Sequence, residues 1–154
     1  MFKFFFQLGV AMMILLFSTF VSWYEGSAII DHPWEWEYST PFTQLNGEIQ
    51  NGNQISQLDY FVYAAKFHPT FPLVMLISFL YLLILVSFQV LNTKHFIYFL
   101  SFVAASLFFL SYLVSNSSTI GGNVFFYFSM LTGIVCIATT ICMKFLGSKR
   151  ETTA

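Results

Sequence analysis

Apolar residues run through this chain in four long blocks, each about the length of a membrane-spanning helix. The blocks are Phe4–Ser22, Leu73–Leu91, Phe96–Val114 and Val124–Met143, and none contains Asp, Glu, Lys, Arg or His. A helix rises 1.5 Å per residue, so roughly 20 apolar residues cross a hydrocarbon core of about 30 Å. Lipid offers no partner for free backbone N–H and C=O groups, so such blocks must be helical. Barrel strands would need alternating apolar and polar positions, and none are seen. The predicted fold is therefore an all-α membrane protein: a four-transmembrane-helix bundle in one integral membrane domain, residues 1–154, with a long first extracytoplasmic loop over residues 23–70. The first block is read as an uncleaved anchor, because it is longer than a signal-peptide core and Trp23 and Tyr24 separate it from the small residues that follow.

That loop has its own pattern. Trp23 and Tyr24 close the first block with aromatics suited to headgroup level. From Trp34 to Tyr38 aromatics and acids alternate, and Pro33 and Pro41 bracket the run. In an extended segment, alternation puts Trp34, Trp36 and Tyr38 on one face and Glu35 and Glu37 on the other. Residues 43–54 are polar, with Asn46-Gly47 and Asn51-Gly52 as turn signals. Ser56 to Phe67 reads as a short helix. Ser56 and Asp59 suit a capping-box-like start, and Ile55, Leu58, Phe61, Val62 and Ala65 fall near one stripe. It is expected to lie on the membrane surface or to cap the bundle. Pro72 suits the first turn of the second span. Asn92-Thr93-Lys94-His95 forms a short link between the second and third spans, and Gly121-Gly122 reads as a turn before the fourth.

Charge sets the expected orientation. Lys3, Lys94, Lys144, Lys149 and Arg150 fall on one side of four spans. Lys66 and the acids Glu25, Asp31, Glu35, Glu37, Glu48 and Asp59 fall on the other. Basic residues stay inside, so the multi-pass chain is expected to have both termini in the cytoplasm and the first loop outside. Charged residues are only 8% of the chain and hydrophobic residues 57%. Soluble domains carry about a quarter charged residues, so an ordinary soluble enzyme is excluded. Six Lys and Arg cannot track a phosphate backbone, so no nucleic acid is expected.

Within the spans, small residues offer close helix contact. Ser129, Gly133, Cys136 and Thr140 form a stripe on the fourth span, and Ser101, Ala104 and Ala105 a smaller set on the third. These faces are expected to meet inside the bundle or across a homodimer, and the pattern leaves both open. Cys136 and Cys142 are about 600° apart on a helix, so they point to different faces and form no redox pair.

Candidate chemistry is sparse. An intramembrane ionisable group would point to a proton or ion path, and the spans hold none. Asp31, His32, Glu35, Glu37, Asp59 and His68 show no metal-binding spacing, so no metal and no cofactor are expected. A loop-based hydrolase would need His32 or His68 beside a carboxylate, and no nucleophile motif accompanies them. An enzyme is not expected. The expected partner-binding residues are Trp34, Glu35, Trp36, Glu37 and Tyr38. They would contact either an envelope or membrane protein or the outer surface of the lipid bilayer. The alternative is a subunit of an oligomeric transporter or pore, for which the small-residue stripe is the one support.

Two stretches carry a family resemblance. One is Phe17-Ser18-Thr19-Phe20-Val21-Ser22-Trp23-Tyr24-Glu25-Gly26-Ser27, continuing to Pro33-Trp34-Glu35-Trp36-Glu37-Tyr38-Ser39-Thr40-Pro41-Phe42. The other is Ser56-Gln57-Leu58-Asp59-Tyr60-Phe61-Val62-Tyr63-Ala64-Ala65-Lys66-Phe67. Together they resemble the YjdJ-like proteins, small uncharacterised membrane proteins of spore-forming Gram-positive bacteria. The resemblance implies a plasma-membrane location and brings no activity, substrate or catalytic residue.

Overall fold

Each apolar block becomes a helix, and each helix begins before its block does. In the computed structural model, residues 2–45, 47 and 49–151 are described, with the backbone alone for 146–151. Asn46 of the first expected turn and Glu48 of the acidic set lie outside the described residues. So do residues 152–154 and the side chains of Lys149, Arg150 and Glu151. Helix α1 covers Phe2–Gly26 and continues as a 3-10 turn over Ser27–Asp31. Two single-turn helices follow, α2 over Trp36–Ser39 and α3 over Pro41–Gln44. Then come α4 over Gln57–Phe67, α5 over Thr70–Val90, α6 over Thr93–Val114 and α7 over Ile120–Glu151. No described residue is in a strand. Helices α1, α5, α6 and α7 are long and apolar enough to cross a membrane. Only 11% to 28% of their apolar windows is buried inside the protein, so their surfaces suit lipid rather than water.

The chain divides into two compact units, residues 1–82 with 119–122 and residues 83–118 with 123–154. In the first unit, α1 turns Ala11, Ser18, Ser22 and Gly26 inward. Helix α4 crosses its end so closely that a Cβ on Gly26 would stand 1.9 Å from the Tyr60 carbonyl oxygen. The Ser18 and Thr19 hydroxyls donate back to Leu15 O, which satisfies them without a neighbour. Pro72 does sit in the first turn of α5, where a missing N–H costs nothing. Its neighbour Phe71 meets Phe17 edge-on, with centroids 6.1 Å apart.

The expected turn at Gly121-Gly122 is instead the first turn of α7. The Gly122 N–H donates to Thr119 Oγ1, an N-cap bond that starts the helix two residues before the glycines end. A Cβ on Gly121 would lie 1.8 Å from Ala65 O and 2.7 Å from Lys66 O. The glycine serves a close backbone approach to α4 rather than a reversal. Thus α4 rests on Gly26 at one place and Gly121 at another.

In the second unit, the expected four-residue link shrinks to Leu91 and Asn92. Phe96 N–H donates to Asn92 O, which opens α6 at once. Ser129, Gly133, Cys136 and Thr140 are all buried, as a packing stripe requires. The Phe108 ring fills the space over Gly133, and Ser111 Oγ donates to Phe126 O at 3.4 Å. The stripe is therefore covered within one chain. On α6 the expected small set is corrected: Ala104 is buried, whereas Ser101 and Ala105 are exposed. The inward face is Phe96, Ile97, Leu100, Val103, Ala104, Leu107 and Ser111. One helix supplies the small residues and the other fills the gap, so α6 has no need of a small stripe.

Candidate interaction surface on the cap

The described residues between 27 and 69 fold as a cap on the end of α1. The extended segment expected over residues 34–38 is absent. Pro33–Glu35 is a 3-10 turn and Trp36–Ser39 a helical turn. Both prolines are the cause. Pro33 and Pro41 each occupy the first position of a helical turn, where their fixed φ is already correct and no N–H is needed. The alternation of aromatics and acids therefore does not sort into two faces.

The helical turns divide the aromatics differently. Trp36 turns inward and its Nε1 donates to Ile29 O at 2.8 Å. Its ring packs with Ala28, Ile49 and Tyr60 against buried Ile29, Ile55 and Tyr63. Trp34 and Tyr38, one turn apart, are 68% and 69% exposed. Phe42 and Leu45 continue outward at 43% and 83%. Glu35 is half-buried and Glu37 exposed. His32 lies beside the Trp34 ring at 5.0 Å and Tyr63 at 6.1 Å.

Beside this apolar core the cap buries a set of polar side chains. Ser39, Thr40 and Asp59 are fully buried and Thr43 nearly so. The Asp59 carboxylate accepts from Phe42 N and Thr43 N, both at 2.9 Å, and from Thr43 Oγ1 at 2.5 Å. Thr43 Oγ1 in turn accepts from Ser56 N at 2.7 Å. Asp59 thus caps α3 from another helix, since Phe42 and Thr43 carry two of the free N–H groups at its start. Ser56 caps α4 as expected, accepting from Leu58 N, but Asp59 does not complete a capping box. The α4 stripe also shifts. Ile55, Asp59, Tyr63 and Ala64 face inward, and Leu58 is exposed. A carboxylate within the buried row hid that face from an apolar pattern.

The end of α2 is satisfied in the same manner. Thr40 Oγ1 donates to Trp36 O, and Gln44 Nε2 to Trp36 O and Glu37 O. The Lys66 ammonium donates to Tyr38 O and to Ser39 Oγ, and Ser39 Oγ donates to Glu35 Oε2 at 3.2 Å. A cation at a helix C-terminus is favourable. Burial pushes the Lys66 ammonium below the usual lysine range, and the Glu35 charge partly opposes this. Burial pushes the Tyr63 phenol up, and Glu35 adds to the shift.

Of the five expected binding residues, then, Trp34, Glu37 and Tyr38 stand outside. Trp36 belongs to the cap's core, and Glu35 joins the Lys66 network. An open groove of about 640 Å³ runs beside them, lined by Pro33, Trp36, Glu37, Gln44, Gly47 and Ile49. Phe42 and Leu45 were missed. The signal available was their spacing from Trp34 and Tyr38 at helical rather than strand period. Among the described residues, no three of His, Cys, Asp and Glu are placed to hold a metal ion.

Residues 5–91 match the DUF4306 family, described as a domain of unknown function. The chain is also similar to the protein named Uncharacterized protein YjdJ of Bacillus subtilis (strain 168). The two are 38% identical over 91 residues, which is 57% of this chain and 84% of that protein. The family match takes in nearly all of α1, the whole cap and α5. No solved structure matches the chain.

Proposed function

The chain belongs to the DUF4306 family, whose matched region holds the entire cap, and from that premise we propose a non-enzymatic membrane protein that acts by contact through residues 33–45. Four span-length apolar helices support the membrane setting. The charge pattern supports both termini cytoplasmic and the cap outside, and the family resemblance supports the plasma membrane as the site of this multi-pass chain. The observation that carries the reading is the exposure of Trp34, Tyr38, Phe42 and Leu45 on a segment whose fully buried side chains, Ser39 and Thr40, are polar. Exposed apolar patches of this kind mark interaction surfaces. The stripe that motivated a pore is taken up by packing inside the chain.

The test separates display from packing. Replacing Trp34 and Tyr38 together by Ala should leave the membrane level of the protein unchanged and abolish photocrosslinking from position 37. Trp36→Ala should instead open the cap to protease. Undiminished crosslinking from position 37 in the double variant sinks the contact reading.

A further inference from the structure

We propose that residues 33–45 are an interfacial anchor, with Trp34, Tyr38, Phe42 and Leu45 seated in the headgroup–acyl boundary of the leaflet on the cap's side. The inference rests on the contact reading above and names the partner as lipid. Three observations argue for lipid. First, the segment is inverted relative to a water-soluble one. Apart from Trp36, which packs inward, its buried side chains are Ser39, Thr40 and Thr43, hydrogen-bonded inside the cap to Glu35, Trp36 O and the Asp59 carboxylate of α4, while Trp34, Tyr38, Phe42 and Leu45 are exposed. Such an arrangement suits a surface whose exterior is apolar. Second, the segment is tied to the end of a span-length helix. Trp36 Nε1 is bonded to Ile29 O, and α4 is seated on Gly26. The exposed aromatics of α1, Phe17, Phe20 and Tyr24, lead along the chain into it. Third, the chemistry is that of an interface: Trp and Tyr place a ring in the boundary and a polar tip at the headgroups.

Charge makes the proposal sharper. The exposed acids Asp31 and Glu37 give no attraction to anionic headgroups. Seating is therefore driven by apolar burial and needs no anionic lipid. A basic protein partner would be drawn by those same acids instead.

The test uses the full chain in phosphatidylcholine vesicles, with or without bromine on the acyl chains. The difference in fluorescence between the unaltered protein and Trp34→Phe isolates the Trp34 emission. Brominated lipid should cut that emission roughly twofold or more, and acrylamide in the water phase should affect it less. Leu45→Trp in the Trp34→Phe background provides a second reporter at an exposed position, and it should respond alike. Emission quenched by acrylamide and spared by brominated lipid at both positions overturns the anchor. Only protein and lipid are present, so that result rejects lipid as the occupant and leaves the contact reading to crosslinking in cells. A protein adduct there would give the same face a different partner.

Discussion

Asp59 is the residue on which the cap turns. Its fully buried carboxylate holds two backbone N–H groups and one hydroxyl. Asp59→Ala leaves the Thr43 N–H buried and unpaired, at a cost of about 1–3 kcal/mol, and frees the half-buried Phe42 N–H. Amide hydrogen exchange at Phe42 and Thr43 in the reconstituted protein should rise sharply in this variant. Unchanged protection would show that α3 is held by something else. Tyr63 gives a pH test with a defined sign. Its phenol is pushed above the ordinary value of 10.0 by burial, so the folded cap keeps a proton that the unfolded chain releases. That contribution is fully present below pH 10.0 and is lost as pH rises through the higher folded value. Tyr63→Phe should therefore resist unfolding above pH 10.0 better than the unaltered protein. Lys66 runs the other way, since its lowered value makes the folded state gain as pH approaches 10.5. It is present in both proteins and cancels from the comparison. Identical alkaline unfolding of the two would remove Tyr63 from the account.

At the scale of elements, two glycines decide how α4 is held. Gly121→Ala places a methyl within 1.8 Å of the Ala65 carbonyl oxygen, against backbone that cannot turn aside. Overpacking of this kind costs about 1–3 kcal/mol, so thermal unfolding in detergent should come earlier. Gly9→Ala is the control, because nothing lies within 4 Å of its Cβ position and alanine favours helix. Equal behaviour of the two variants would contradict the close approach. Neither glycine contact was legible in the sequence. A turn and a close approach call for the same residue, and only the Thr119 cap shows which one Gly121 serves. The four spans were legible because hydropathy needs no partner to be read. Their ends were not, because a helix continues past its apolar stretch wherever caps and neighbours satisfy the backbone. Trp34 to Tyr38 shows the opposite hazard. Alternating composition suggested an extended segment, and two prolines in first-turn positions made helical turns instead.

For the whole molecule, the charge pattern predicts sidedness. Asn53→Cys on the cap should react with a membrane-impermeant maleimide in intact cells, and Lys94→Cys only after permeabilisation. Reversed labelling would invert the topology and put the cap in the cytoplasm. Of the candidate surface, Trp34, Glu37 and Tyr38 were legible as exposed chemistry. The roles of Trp36 and Glu35 were not, since one depends on how the turns after Ile29 fold back and the other on Lys66, distant in sequence. The central claim is that the outward apolar face of residues 33–45 is covered in the living membrane. A photoreactive residue at Trp34 in intact cells, compared with one at Asn53, tests it most directly. The account predicts abundant adducts from position 34, carried by lipid, and few from position 53. Equal and sparse labelling from both positions would mean that the face meets only water, and the account would fall.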